Sequence, residues 1–319
     1  MNFKALVLTV ALAALHAAGF AQDLSGRSVQ ILVPFAAGGS TDITARALAK
    51  AMEKDLNTPV VVVNKPGAGG TIALAEVARA KPDGHVLGVF LAANAAIAPH
   101  IQKSVPYDPL KDFTPIATYA VSTIYLAVRA DSPYKTLDDV MNDMKARPGK
   151  VVVGITTLGS STHLATARLA RERGLQTDFV TFNGGAQVIT ALLGGHIPVA
   201  AVAGEIYPHV VAGKLRFIAS YQKASIPALT NVPSIDANGF NWEADSWVGM
   251  AGPAGMSEDL RAKLEASVLK ATSDPEYKRV LAEMAMVPRL ENGRQLRATL
   301  EKSHKDVGAL VKAIGLTAQ

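Results

Sequence analysis

Two stretches near the start of the chain each join an apolar run of strand length to a glycine turn, and a helical pattern follows at once. The first is VQILVPFAAGGSTDITARALAK, residues 29–50, and the second is VVVVNKPGAGGTIALAEVARA, residues 60–80. Strand, tight turn and helix in direct succession commit the chain to an α/β fold. Each turn also aims free backbone N–H groups at a crevice. That arrangement suits a small anion and brings almost no side-chain chemistry, so it points to binding rather than catalysis.

In the first loop, Gly38 and Gly39 permit a turn with φ > 0 and no Cβ in the way. Ser40 or Thr41 is placed to cap the helix, and Asp42 to stabilise its first turn. The amides that follow have no partner inside the helix and lie at the positive end of its dipole. A carboxylate suits that position as well as a phosphate does. A plain strand-to-helix connection uses the same residues, so one such loop does not decide between the two. The second loop, GAGG, is not a nucleotide-binding P-loop, because no Lys-Ser/Thr follows it. It is not the dinucleotide fingerprint either, because Ile72 stands at the third glycine position. Lys65 is the only strong cation in either loop and reads as a solvated surface lysine. A triphosphate demands more charge, so these loops fit a carboxylate held by neutral donors.

The alternation continues. A helical face runs through Ile43, Ala47, Leu48, Ala51, Met52 and Leu56. Lys81-Pro82-Asp83-Gly84 is a turn, His85–Phe90 a third strand, and Ser122–Arg129 a further apolar segment. The plan then restarts: Val151–Ile155 leads into LGSSTH and a helix, and Asp178–Phe182 into NGGAQ and another. After Ser246–Ala251 the chain closes with three helices. The first is capped by Ser257, with Glu258 and Asp259 in its first turn. The second begins with Asp274 and Pro275. The third carries Leu296, Leu300, Val307, Leu310 and Val311 and stops near Gly315.

The second half offers partners for the first two loops. Ser160, Ser161 and Thr162 bring three hydroxyls to a helix start. His163 either donates to a bound oxygen or caps and packs. Phe182 either walls a pocket or fills the core, and Asn183 and Gly184 open the next helix. Glu205 either meets a ligand ammonium or hydroxyl or stabilises a helix start. Enzyme chemistry finds little support. There is no HExxH, Glu205 and His209 are separated by Pro208 with no third metal ligand, and LGSST is not a GxSxG nucleophile elbow.

The first 21 residues read as a signal peptide. Lys4 gives a short positive start, Ala5–Leu15 is uninterrupted and apolar, and Gly19-Phe20-Ala21 fits a cleavage site after Ala21. The stretch falls short of the roughly 20 apolar residues a membrane span needs. The chain has no Cys, so a secreted protein of this kind rests on core burial rather than disulfides. It also has no cysteine for a lipid anchor, which points to the periplasm of a Gram-negative cell. Hydrophobic residues make up 49% and charged residues 18% of the 319-residue chain, as in a well-buried globular protein of two lobes. The net charge of +5 comes without a basic cluster interleaved with aromatics, so nucleic acid is not expected.

The runs VPFAAGGSTD and VVVNKPGAGGTIALAEVARAKPDGHVL closely resemble the tripartite tricarboxylate transporter receptor family, also called the Bug family of periplasmic solute-binding proteins. The likeness continues through Tyr107-Asp108-Pro109, Phe113-Thr114-Pro115-Ile116, GSSTHLA, NGGAQ, AGKLRFIAS, NVPSIDANGF and SWVGMAGPAG. It covers residues 22–319 in order. The resemblance implies two α/β lobes of the type II periplasmic-binding-protein kind, with the ligand in a cleft between them. The chain would cross between lobes near Ser122–Val128 and Ser246–Ala251. The first lobe would span 22–123 and 247–319, and the second 124–246. The resemblance also implies that Phe35, Gly39, Ser40 and Thr41 in one loop and Gly69 and Thr71 in the other hold a ligand carboxylate, partly through water. Ser160, Ser161, His163, Phe182, Asn183 and Gly184 would face them, with Glu205 added from the reading of the residues. Many relatives carry Lys or Arg where Asn183 stands, and commonly Asp at the position of Ala201; both departures fall on the lobe expected to read the far end of the ligand. The expected protein is a monomer without cofactor that delivers a small carboxylate to membrane permease subunits or a sensor. A secreted α/β hydrolase and a binding protein of another importer class are the alternatives.

Overall fold

The computed structural model describes residue 24 and residues 26–182, 184–223, 229–244 and 246–316. The signal-peptide expectation for residues 1–21 and the expectation for Asn183 lie outside these.

The first glycine unit folds as β1 (Val29–Val33) followed by α1 (Ser40–Leu56), and the second as β2 (Val60–Asn64) followed by α2 (Thr71–Ala78). β3 (Val86–Leu91) comes next, then a π-helical turn at Ala92–Ile97 and the short α3 (Ala98–Ile101). β1 lies between β2 and β3, parallel to both. Its residues are apolar because both faces of a parallel strand are covered; four of its five are buried. Along α1, Ala45, Leu48, Ala49, Met52 and Leu56 are buried, the spacing of one face of a helix.

Among the described residues, eight further strands follow β3. β4 (Phe113–Val121) lies inside the first sheet, and β5 (Tyr125–Arg129) lies inside the second. The capped helix α4 (Leu137–Ala146) follows, then β6 (Val152–Ile155), α5 (Ser161–Glu172), β7 (Asp178–Thr181) and α6 (Gly185–Leu193). β8 (Val199–Val202), α7 (Tyr207–Val211) and β9 (Leu215–Ser220) complete the second lobe. The chain then returns through β10 (Trp247–Pro253), α8 (Glu258–Ala271), α9 (Pro275–Glu283), β11 (Val287–Asn292) and α10 (Gly293–Ala313). The expected caps are present: Ser257 accepts from the Leu260 amide, and Asp274 from the Glu276 and Tyr277 amides.

The strands form two sheets, ordered β11-β4-β10-β3-β1-β2 and β7-β6-β8-β5-β9. Each has helices on both faces and its own core. In the first lobe one apolar cluster joins the sheet to α1, α8 and α9, and another joins it to α2 and α10. The closing helices therefore back the first sheet. β11 departs from the three-helix reading of the C-terminus, since it pairs antiparallel with β4 as an edge strand.

The first crossing between sheets is shorter than expected. β4 ends at Val121 and β5 begins at Tyr125, so Ser122, Thr123 and Ile124 make the passage. The return strand runs beside it: the Ser122 amide donates to the Ser246 carbonyl at 3.0 Å. Gln222 ties the two together, accepting from the Ile124 amide at 2.7 Å and donating to Ser246 Oγ at 2.9 Å. A third junction lies at Met284-Ala285. Ala285 is buried among second-lobe residues, and Gly204 lies so close to the Met284 carbonyl that a Cβ there would be 1.5 Å from its oxygen.

Candidate functional site

Gly38 takes φ +88, the left-handed conformation that favours glycine. Gly39 does not: at φ −82 and ψ 165 it is extended and serves as N-cap of α1 without a side-chain cap bond. Neither Ser40 nor Thr41 caps the helix. The organising side chain is Asp42, which is 3% exposed. Its Oδ2 accepts from the Gly38 amide at 2.9 Å, and Arg46 and Asn64 donate to the same carboxylate. Burial raises the Asp42 pKa, but these hydrogen bonds together outweigh it and hold the carboxyl below its ordinary value. Asn64 also donates to the Phe35 carbonyl at 3.0 Å, so the end of β2 holds the loop after β1. The Ile43 amide bonds the Gly39 carbonyl at 3.0 Å. The Ser40, Thr41 and Asp42 amides precede that bond and stand at the positive end of a 17-residue helix. Phe35 is 37% exposed at the rim.

The second loop is wound through four successive residues with positive φ: Gly67 (129), Ala68 (47), Gly69 (65) and Gly70 (95). Gly70 is required twice over, because a Cβ there would lie 2.8 Å from that of Pro34 in the first loop. The two loops therefore pack directly on each other. Thr71 is buried, and its hydroxyl donates to the Ala68 carbonyl at 3.0 Å, as does Gln102 from the end of α3. Lys65 pairs with Glu76 at 3.1 Å, so the loop's cation is engaged along α2.

On the second lobe, Ser160 caps α5. Its Oγ accepts from the His163 amide at 3.2 Å and donates to the Thr157 carbonyl at 2.7 Å. Ser161 is the first residue of that helix. His163 is buried, its Nδ1 accepts from the Gly159 amide at 2.9 Å, and its ring stands edge-on to Phe179. Burial lowers its pKa to about 4, so the ring is neutral near pH 7 with its proton on Nε2. His163 thus holds the loop, and capping and packing account for its position. Phe182 is half-buried and packs against the second core. Gly184, at φ 117, is the N-cap of α6.

The two lobes meet at these helix starts. Glu205 sits in a 3₁₀ turn (Gly204–Ile206) after β8. The Ser40 hydroxyl of the opposite lobe acts to lower the pKa of its carboxyl, against the larger effect of burial, and its Oε1 lies against Gly185, where a Cβ would be 1.7 Å away. The lobes also meet where Ile101 of α3 packs on Gly159, whose Cβ would fall 1.9 Å from Ile101 Cδ1. The roles of Asp42 in the loop and of Gly185 and Ile101 at the seam are absent from the sequence reading. A paired glycine at 184–185 was the available signal for Gly185. A cavity of about 640 Å³ lies to one side, between α5 and α10, lined in part by Leu164, Arg168, Trp242, Val307 and Leu310. Of the expected binding residues it touches only Ser161.

The profile of the tripartite tricarboxylate transporter family receptor matches residues 44–316. This chain belongs to that receptor family. A UPF0065 protein of Cupriavidus necator is 32% identical over 315 residues, covering 99% of this chain and 96% of its own. The periplasmic binding protein BugD superposes with a TM-score of 0.83 at 28% identity, over 92% of this chain and 99% of its own. MatC of Rhodopseudomonas palustris, solved with bound malate, gives 0.81 at 28% identity, over 90% and 99%. The tripartite tricarboxylate receptors are periplasmic binding proteins, and among the described residues no helix is long and apolar enough to cross a membrane. This receptor therefore has the two-lobed α/β fold of a solute-binding protein, with the starts of α1, α5 and α6 at the seam between its lobes.

Proposed function

We propose that this receptor captures a small carboxylate between its lobes and closes on it about the paired crossings at Ser122–Ile124 and Ser246. The observation that carries this reading is the facing of the lobes at their helix starts, where Ile101 packs on Gly159 and the Ser40 hydroxyl acts on the Glu205 carboxyl beside Gly185. Closure takes the ligand carboxylate out of water, and an unpaired buried charge is too costly to keep. The amides at Ser40 and Thr41 offer neutral donors at a helix dipole, each charge-assisted bond being worth about 1.5–3 kcal/mol. Phe35, Gly39, Gly69 and Thr71 complete the first jaw. Ser160, Ser161, His163, Phe182, Asn183, Gly184 and Glu205 form the second. His163 acts there by holding the Ser160 loop. The malate seen in MatC supports a small dicarboxylate; a tricarboxylate, an acidic amino acid and an aromatic acid are the other ligands of this reading. Residues 1–21 direct export to the periplasm, where the closed monomer meets permease subunits or a sensor.

Titration calorimetry with succinate, malate, citrate, aspartate and benzoate tests the reading. It expects one site per chain and unchanged ligand after prolonged incubation. Turnover of any of them into product overturns it, and cleavage of a simple ester or amide substrate supports a secreted hydrolase instead.

A further inference from the structure

Glu205 places a negative side chain in a cleft whose other groups favour anions. Its Oε2 is sealed from solvent and has no hydrogen-bond partner among the described residues. A buried acceptor left unpaired costs about 1–3 kcal/mol, more when charged, and in a native structure it marks a missing donor. The turn that carries Glu205 cannot swing aside. Gly204 is locked against the Met284 carbonyl, and Ile206 is fully buried. Gly185, with no side chain, leaves the space that the carboxyl fills.

The surroundings of the carboxyl bring no compensating charge. Besides burial, the groups that act on it are its own backbone N–H and the Ser40 hydroxyl. α6 contributes Gly185 at this point, and among the described residues no cationic side chain bears on it. Burial accordingly raises its pKa above the ordinary carboxyl value.

Building on the carboxylate-binding reading above, we infer that the ligand is an α-amino acid whose ammonium pairs with Oε2 of Glu205 while its carboxylate lies on the Ser40 and Thr41 amides. An ammonium brings up to three donors and the missing counter-charge. A second carboxylate in the same place would bring like charge, and one of the two would have to take up a proton. The influence of Ser40 on the Glu205 carboxyl puts the two groups close together, which suits a ligand whose two charges are adjacent, as they are on an α-carbon.

The test uses acid pairs that differ only by the α-ammonium: aspartate with succinate, glutamate with glutarate, alanine with propionate. The wild-type protein should prefer the amino member of the best-binding pair by at least tenfold, and Glu205→Gln should erase that preference. Lowering the pH should weaken the amino acid and strengthen the plain acid, because protonation of Glu205, whose pKa is raised by burial, removes the counter-charge. The pH series on wild-type protein decides the matter even if Glu205→Gln does not fold. If plain acids bind as tightly as their amino partners, with the same ranking in Glu205→Gln or across pH, the inference is overturned and the carboxylate reading stands. If no member of any pair binds, both are overturned.

Discussion

The Gly38 amide donates to Asp42 Oδ2 at 2.9 Å. An acid four residues downstream thus shapes the glycine loop from below and leaves the amides at the start of α1 unobstructed. Asp42→Ala removes this acceptor and its bonds to Arg46 and Asn64 together. The expected loss is about 2–3 kcal/mol of stability, read from urea unfolding, together with weaker ligand binding. The contribution also has a pH signature. The Asp42 pKa is lowered in the fold, so its stabilisation is full above the unfolded value of about 4 and fades as pH falls through the lower folded value.

The two glycines of the first loop separate structure from function. Gly38→Ala forces a Cβ into the left-handed region at φ +88, a cost of about 1–2 kcal/mol. Gly39→Val meets no such penalty, since Gly39 has φ −82 and its Cβ position lies 3.9 Å from the nearest atom. Thermal melts should therefore show the larger fall for Gly38→Ala. Calorimetry should show a loss of at least tenfold in carboxylate affinity for Gly39→Val, whose side chain crowds the neighbouring amides. Equal melts would contradict this assignment of the backbone.

That contrast marks how far the sequence could be read. β1, β2 and their helices were legible because a buried parallel strand, a glycine turn and a capped periodic helix are each local signals. Which glycine takes positive φ was not, because Asp42 and Asn64 decide it from outside the loop. β11 escaped for a related reason. VPRLEN contains a proline and is mostly exposed, so it becomes a strand only by pairing with β4. The meeting of Ser40 with Glu205 depends on how two lobes close, and no spacing along the chain encodes it.

His163 should stay neutral through the mildly acidic range. With its pKa lowered by burial to about 4 against about 6.5 unfolded, its contribution is whole above about pH 6.5. It is lost as pH falls toward 4, by at most about 3 kcal/mol. NMR of the imidazole should show no titration of this ring between pH 8 and 5.5. A midpoint near 6.5 would contradict its place behind the Ser160 loop.

Gln222 holds the two crossings together through Ile124 and Ser246. Gln222→Ala leaves the buried Ile124 amide unpaired, which costs about 1–3 kcal/mol. Amide exchange should rise at Ser122–Ile124 while the core of β1 stays protected. Unchanged exchange at the crossings would remove Gln222 from the hinge.

A crystal structure of the protein with a bound carboxylate bears most directly on the central claim. The account predicts carboxylate oxygens within hydrogen-bond distance of the Ser40 and Thr41 amides, enclosed between the starts of α1 and α6. A ligand seated instead in the cavity between α5 and α10 would contradict it.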